Sequence, residues 1–394
     1  MSHPILLLNC GSSSIKYQMI DSDTEEVSAV GLVQKIGDAG DGTIDHETGG
    51  ETHHGEQHFA DHTGAIAAVI AMFTDHGPDL SQAIAVGHRT VHGGEAFRST
   101  TVIDEGVIDK LVDLSGLAPL HNPPGIAGIR AAMALLPDVP HVAVFDTAFF
   151  SDLPAEAFTY AIDRDLAHEH HIRKYGFHGT SHQYVSGRVA EVLGRDLAGI
   201  KQIVCHLGNG ASISAIDGGR AIDTSMGLTP LQGLVMGTRS GDVDPGLHAF
   251  LARELAMTID EIDSLLNKRS GMLGLAGNTD MRDVWAAADA GDERAALALD
   301  VYVHRLVSYI GSYVALLGGV DAITFTAGVG ENDFRVRARV AERLAWLGIT
   351  LDVDANALRS KHPRAISTPD SSVALLVIPT NEELAMAREV VRAL

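Results

Sequence analysis

The chain has 394 residues, 45% of them hydrophobic, a formal net charge of −22 at pH 7 and only two cysteines, Cys10 and Cys205. That length exceeds what one core usually serves, about 250 to 300 residues, so two domains are expected. The acidic balance, unrelieved by any long basic stretch, excludes a nucleic-acid surface and an anionic-membrane surface, and two cysteines exclude a disulfide framework and fit a reducing, cytoplasmic setting.

The first residues carry no charged leader and run straight into a predicted strand over 5–8. This strand ends in Asn9-Cys10-Gly11-Ser12-Ser13-Ser14-Ile15-Lys16. Its small residues let backbone N–H groups turn toward an anion, and the chain then re-enters an alternating strand, as in a hairpin. The same signature returns at 203–214, through Cys205-His206-Leu207-Gly208-Asn209-Gly210-Ala211-Ser212. Two phosphate cradles in two similar halves point to a nucleotide clamp. Neither copy has the Gly-Lys-Ser/Thr ending and following helix of a P-loop.

Residues 37–64 read as an irregular hairpin or surface excursion rich in Gly, His, Asp and Thr. His54, His58 and His62 fall four apart, which on a helix would align three imidazoles for a metal, but Gly55 and the missing apolar stripe favour a solvated variable segment. Further strands are predicted over 84–86, 141–145, 202–205, 213–216, 322–325 and 373–378. Helices are predicted over 63–74, 125–136, 181–193, 247–251, 286–318 with breaks, 336–347 and 382–394. The apolar stretch 298–320 contains Asp300, His304 and Arg305, which marks it as a buried or amphipathic helix and not a membrane span. Alternating strands and helices give an α/β fold.

Polar, glycine-punctuated loops follow the predicted strands, where α/β sheets place their ligands. Arg89 suits a carboxylate or phosphate clamp, as Arg239 between glycines suits an oxyanion; a salt bridge between domains is the alternative for each. Asp146, after the strand 141–145, can orient an arginine, bind a metal-bound water, interact with the nucleophile or cap a turn. His178 can donate to a transferring phosphoryl group or serve the structure alone, with Thr180 or Ser181 capping the next helix. Asp280-Met281-Arg282, after a flexible 271–277 stretch, and the glycine turn Gly328-Val329-Gly330-Glu331-Asn332 can complete a nucleotide site. Thr380 or Asn381 caps the last helix, leaving Glu382 in its first turn as a Mg²⁺ contact, direct or through water, or as compensation for the helix dipole.

Taken together these segments resemble the acetate kinase family, within the superfamily of acetate and sugar kinases, heat-shock proteins and actin. The carriers are NCGSSSIK at 9–16, HRTVHGG at 88–94, FDTAF at 145–149, YGFHGTSH at 175–182, CHLGNGAS at 205–212, DTSMGLTPLQGLVMGTRSGDVDPG at 223–246, TAGVGEN at 326–332 and PTNEEL at 379–384. The resemblance implies two ribonuclease-H-like (actin-like ATPase) domains with a central cleft. An N-terminal domain over 1–150 would be joined by the C-terminal helix 381–394, with a nucleotide-binding domain over 151–380, and the protein would be a homodimer. It implies phosphoryl transfer between ATP and acetate, giving ADP and acetyl phosphate, with Mg²⁺, or Mn²⁺ in its place.

The resemblance also assigns roles. Asn9 and Glu382 match magnesium-associated residues, and Lys16 a lysine near the nucleotide phosphates. Arg89 matches the acetate-binding arginine, Asp146 the essential acid, and His178 and Arg239 the stabilisers of the transition state. His206 to Gly210, including Leu207, Gly208 and Asn209, match the ATP-contacting loops together with Asp280, Met281, Arg282, Gly328, Val329, Gly330, Glu331 and Asn332. Val91, Leu120, Phe177 and Pro230 match a small apolar pocket for the acetate methyl group. Phe150 stands where the family often has His, and Gln232 where Glu is frequent, which touches fine tuning and not the reaction. Propionate or butyrate kinase is the near alternative, and a nucleotide-gated, actin-like binding protein the alternative of another class.

Overall fold

A computed structural model describes residues 3–119 and 121–394. The chain divides into two compact units, Met1–Ser151 with Asn381–Leu394, and Asp152–Thr380. Each is built on one mixed sheet, and the two sheets share a strand order.

In the first unit the strands are β1 (Pro4–Cys10), β2 (Ser14–Asp21), β3 (Val27–Gln34), β4 (Gly42–Thr48), β5 (Glu51–Gln57), β6 (Ala85–Thr90), β7 (Thr101–Val102) and β8 (His141–Phe145), ordered β5-β4-β3-β2-β1-β6-β8-β7. β1 pairs antiparallel with β2 and parallel with β6, and β6 pairs parallel with β8. In the second unit the strands are β9 (Lys201–Leu207), β10 (Ala211–Asp217), β11 (Arg220–Thr224), β12 (Ala322–Thr326), β13 (Arg364–Ala365) and β14 (Ala374–Val377), ordered β11-β10-β9-β12-β14-β13. Here β9 takes the place of β1, antiparallel to β10 and parallel to β12. An antiparallel meander thus leads into parallel crossovers twice, the two-sheet α/β architecture expected from the repeated hairpin.

β1 is buried on both faces, which its unbroken Ile-Leu-Leu-Leu run requires. Leu6 and Leu8 enter a core with Ile66, Val69 and Phe73 of the helix His62–His76 and with Ala131 and Ala132 of the helix Asn122–Leu135. Ile5 and Leu7 face the other way, toward Val390 on the C-terminal helix Glu382–Ala393, and Gly87 of β6 lies between them. A Cβ on Gly87 would stand 2.7 Å from Leu7 Cδ2 and 2.8 Å from Val390 Cγ2, so the bare glycine sets how closely that helix docks. In the second unit the helix Glu293–Leu317 buries Leu299, Val303, Leu306 and Ile310, capped by Asp292 at one end and left-handed Gly318 at the other. Among the described residues no helix is long and apolar enough to cross a membrane.

Several sequence expectations are corrected. The 37–64 segment contains a regular hairpin, β4–β5, that closes on Gly49-Gly50 and extends the sheet. His54 lies on β5 and His62 opens the next helix, so His54, His58 and His62 share no helical face. The 271–277 stretch is a helix, Gly271–Ala276, and the glycine turn at 328–332 belongs to another, Ala327–Asn332. The 286–318 stretch is helical with a break, as expected, but begins earlier, as Met281–Asp289 and Glu293–Leu317, and helices at Glu105–Asp113 and Ile259–Lys268 were not anticipated.

Gly87→Ala should lower unfolding stability by about 1–3 kcal/mol in urea titration, because the added methyl overpacks the seat of the C-terminal helix. Gly125→Ala, where an added Cβ meets nothing within 4 Å, should not destabilise and serves as the control.

Candidate active site

In the first unit the functional side chains gather where β1, β6 and β8 end. β6 runs through Arg89, which is therefore the penultimate residue of the strand rather than part of a following loop. Asp146 comes directly after β8, its amide donating to Thr90 O at 3.0 Å. Arg89 Nε donates to Asp146 Oδ1 at 3.1 Å and Nη2 to Oδ2 at 2.9 Å, a two-point fork. Glu382 Oε2 lies 3.5 Å from the same Nη2. Asp146 above all, then Glu382, raises the Arg89 pKa, so the guanidinium stays charged although largely buried. It keeps 24% of its side chain exposed, enough to receive a further anion.

Glu382 occupies the first turn of a helix capped by Asn381, whose side chain accepts from Leu384 N at 2.9 Å. Burial raises the Glu382 pKa, and the neighbouring Arg89 opposes that shift. Asn9 and Lys16 face each other across the β1–β2 pair. Asn9, Lys16, Arg89 and Glu382 share a cavity of about 360 Å³. Val91 follows β6 and is half-buried, whereas Leu120 lies outside the described residues.

In the second unit the hairpin β9–β10 turns through Gly208, Asn209 and Gly210, closed by a Gly208 N to Gly210 O bond of 3.0 Å. Gly237 N donates to Asn209 O at 2.9 Å and ties this turn to the loop that carries Arg239. That loop is braced from the long helix, since Asp242 accepts from Tyr309 at 2.6 Å, pairs with Arg305 at 3.2 Å and itself accepts from Gly233 N at 2.8 Å. Arg239 Nη1 donates to Pro230 O at 2.8 Å. Among the described residues Arg239 forms no ion pair with a carboxylate, and burial lowers its pKa.

His178 is left-handed, at φ 60° and ψ 26°, and stands as the residue before the helix Gly179–Leu193. A non-glycine residue adopts that conformation only when its surroundings hold it. Here Ser212 Oγ lies 2.9 Å from His178 Nδ1, and the ring stacks on His206 with centroids 4.3 Å apart. A Cβ placed on Gly210 would stand 3.4 Å from His178 Nε2 and 3.5 Å from Arg239 Nη2, so the two polar tips converge over the glycine of the turn. Neither Thr180 nor Ser181 caps the helix, contrary to expectation. Ser181 instead bonds His206 Nδ1 and Thr380 Oγ1, each at 2.8 Å.

Beside this turn lies a cavity of about 510 Å³. The three predicted loops reach it through Gly208 and Asn209, through Asp280, Met281 and Arg282, and through Gly328, Val329 and Asn332. Asp280 caps its helix and pairs with Arg282, whose hydrogen bonds hold the Asp280 carboxyl down to about 2. The other loop residues turn inward. Leu207 and His206 are buried at the end of β9, Gly330 O accepts from the buried Arg337 at 2.8 Å, and Glu331 Oε1 accepts from Ala327 N at 2.8 Å and Thr380 N at 3.2 Å. Phe177 is buried in this unit and Pro230 contributes the carbonyl on Arg239. Gln232 accepts from Tyr160 at 2.8 Å, and Phe150, in the first unit, is fully buried.

The cavity also uses residues the sequence reading passed over. Trp285 donates to Asp333 Oδ2 at 2.7 Å, and Arg335 lies 3.8 Å over its indole ring. A tryptophan is scarce here, one of two in the chain, and its position one turn into the helix that Asp280 caps was the available signal.

A model of the acetokinase family matches residues 4–388. An acetate kinase of Clavibacter michiganensis subsp. michiganensis is 56% identical over 387 residues, covering 98% of each chain. The crystal structure of Porphyromonas gingivalis acetate kinase matches with a TM-score of 0.95 at 42% identity over 99% of both chains. That of a propionate kinase from Francisella tularensis matches with a TM-score of 0.92 at 40% identity over 98% of both. With the match running through both hairpins and on into the last helix, the chain belongs to the acetokinase family.

Proposed function

We propose that the protein is an acetate kinase, passing the terminal phosphoryl group of ATP to acetate, reversibly and directly, to give ADP and acetyl phosphate. Its main support is the Arg239 guanidinium, half-buried without a carboxylate partner among the described residues and converging with His178 over Gly210. A cation left unpaired in that position is set for an anion brought by a substrate. The cavity of the second unit then takes the nucleotide. The acceptor carboxylate belongs to Arg89, whose fork Asp146 holds in place, and its methyl group to Val91, Leu120, Phe177 and Pro230.

The acceptor is ionised at neutral pH, since a carboxyl group titrates at about 4 to 5. No general base is needed, which assigns Asp146 to orienting Arg89 and not to removing a proton. What the reaction does need is relief of repulsion between carboxylate and phosphoryl oxygens. Lys16, Arg89 and Arg239 supply fixed positive charge, and His178 a directed hydrogen bond. Asn9 and Glu382 offer hard oxygen donors, suited to Mg²⁺ or Mn²⁺, which when bound would offset further phosphate charge. Among the described residues no group of three or more His, Cys, Asp and Glu could hold a metal ion. A homodimer in the cytoplasm completes this reading.

A longer acid is the second reading, favoured by the likeness to the Francisella propionate kinase. One methylene changes discrimination by only about 1–3 kcal/mol, so the acids must be compared directly. Incubation with ATP, Mg²⁺ and acetate, propionate, butyrate or no acid, with hydroxylamine trapping, should give most hydroxamate from acetate. A larger yield from propionate would reassign the substrate and keep the mechanism. No hydroxamate from folded, ATP-binding protein would favour a nucleotide-gated binding protein.

The two arginines should separate in steady-state kinetics. Arg239→Ala should lower kcat by about 10²–10³-fold with the KM for ATP nearly unchanged. Arg89→Lys keeps a charge beside Asp146 but loses the fork, and should raise the KM for acetate about tenfold or more.

A further inference from the structure

Behind His178 lies a line of buried polar side chains that the phosphoryl-transfer chemistry does not itself require. Ser214 Oγ is 2.7 Å from His182 Nδ1, His182 Nε2 is 2.7 Å from Ser212 Oγ, and Ser212 Oγ is 2.9 Å from His178 Nδ1. Ser212 and Ser214 project from β10, two residues apart and so on one face of the strand. His182 projects from the helix Gly179–Leu193, one turn after His178. Ser212, Ser214 and His182 are fully buried.

Only one ordering of the protons satisfies every group on this line. Burial holds the His182 pKa well below its ordinary value, so its ring is neutral, with one nitrogen donating and the other accepting. Suppose first that His182 Nδ1 carries the hydrogen and donates to Ser214. Among the described residues the Ser214 hydroxyl has no partner besides His182, so its own hydrogen would be stranded in the core. Suppose instead that Ser214 donates to Nδ1. The His182 hydrogen then sits on Nε2 and goes to Ser212, whose hydroxyl is left to donate to His178 Nδ1. His178 must accept at Nδ1, and its own hydrogen is placed on Nε2, the atom over Gly210. A cationic His178 would donate from both nitrogens, reverse the Ser212 hydroxyl and return the line to the stranded Ser214.

We propose that Ser214, His182 and Ser212 form a one-way hydrogen-bond relay that fixes His178 as a neutral imidazole with its proton on Nε2, presented to the transferring phosphoryl group. The three are positioning residues, none of them touching substrate. The proposal rests on the kinase reading only for the identity of the acceptor, a phosphoryl oxygen.

The test is long-range ¹H–¹⁵N correlation on the full-length, histidine-labelled protein without substrate. The two rings are assigned by comparison with His178→Gln and Ser214→Ala. Both rings should show a protonated Nε2 and a bare, hydrogen-bonded Nδ1 at neutral pH. A proton on Nδ1 of either ring, or a cationic ring, would overturn the relay. Ser212→Ala provides the kinetic arm. It should turn His178 into a mixture of tautomers and lower kcat at least about tenfold, with both KM values within about threefold. Loss of kcat with the His178 tautomer unchanged, or no loss at all, would count equally against it. Because the spectrum needs no turnover, it decides the relay even if no acid is phosphorylated.

Discussion

Repulsion between two anions is the constraint that the proposed reaction has to meet. A carboxylate must approach a phosphoryl group that already carries negative charge, in a chain whose own net charge is −22. Bulk composition therefore works against substrate entry, and only local cations can reverse the field. On the proposed reading Lys16, Arg89 and Arg239 are those cations. Arg89 is held by Asp146 yet stays partly open, and Arg239 is bonded to a carbonyl and not to a carboxylate. A neutral acceptor fixes orientation without consuming charge.

The shared strand order is what delivers these groups. In each sheet the central strand turns back into a hairpin on one side and pairs with parallel strands on the other. Asn9, Arg89 and Asp146 stand at the ends of β1, β6 and β8; His206, Ala327 and Thr380 stand at or just past the ends of β9, β12 and β14. Parallel strands that begin from one edge must finish at the other together, so residues far apart in sequence emerge side by side. Only the additions differ. The first unit gains the β4–β5 hairpin ahead of its crossover helix, and the second gains the stretch 225–292 ahead of its own, Glu293–Leu317, whose Arg305 and Tyr309 brace the Arg239 loop.

Legibility in the sequence followed the locality of the signal. The paired hairpins were readable because an apolar run and its glycine turn lie within a dozen residues. β5 was not, since Glu-Thr-His-His-Gly-Glu-Gln holds no apolar residue and is a strand only because β4 pairs with it; Gly49-Gly50 was the overlooked cue. The helix at Gly271–Ala276 was hidden by glycines that score as breakers, although Gly271 is left-handed at φ 61° and suits the helix entrance. Arg89 and Asp146 stood out as charged residues at strand ends, and His178 and Arg239 as polar residues set among glycines. Ser212 and His182 did not, because their partners lie 30 or more residues away, on another element, and no spacing rule connects a strand to a helix packed against it.

The two groups over Gly210 differ in kind, and the difference has a physical reason. Arg239 is a permanent cation held by the Pro230 carbonyl, so its charge is in place before transfer begins and acts most strongly when charge moves onto the oxygens it faces. A neutral imidazole donor acts through direction. Its hydrogen bond strengthens as charge collects on the oxygen it faces, and it weakens again once transfer is complete. For that the proton must sit on the right nitrogen beforehand, because reorienting a dipole during the reaction would add to the barrier. The buried serines behind His178 meet that requirement from within β10, the strand that follows the phosphate turn, so the element that forms the cradle also sets the donor aimed over it.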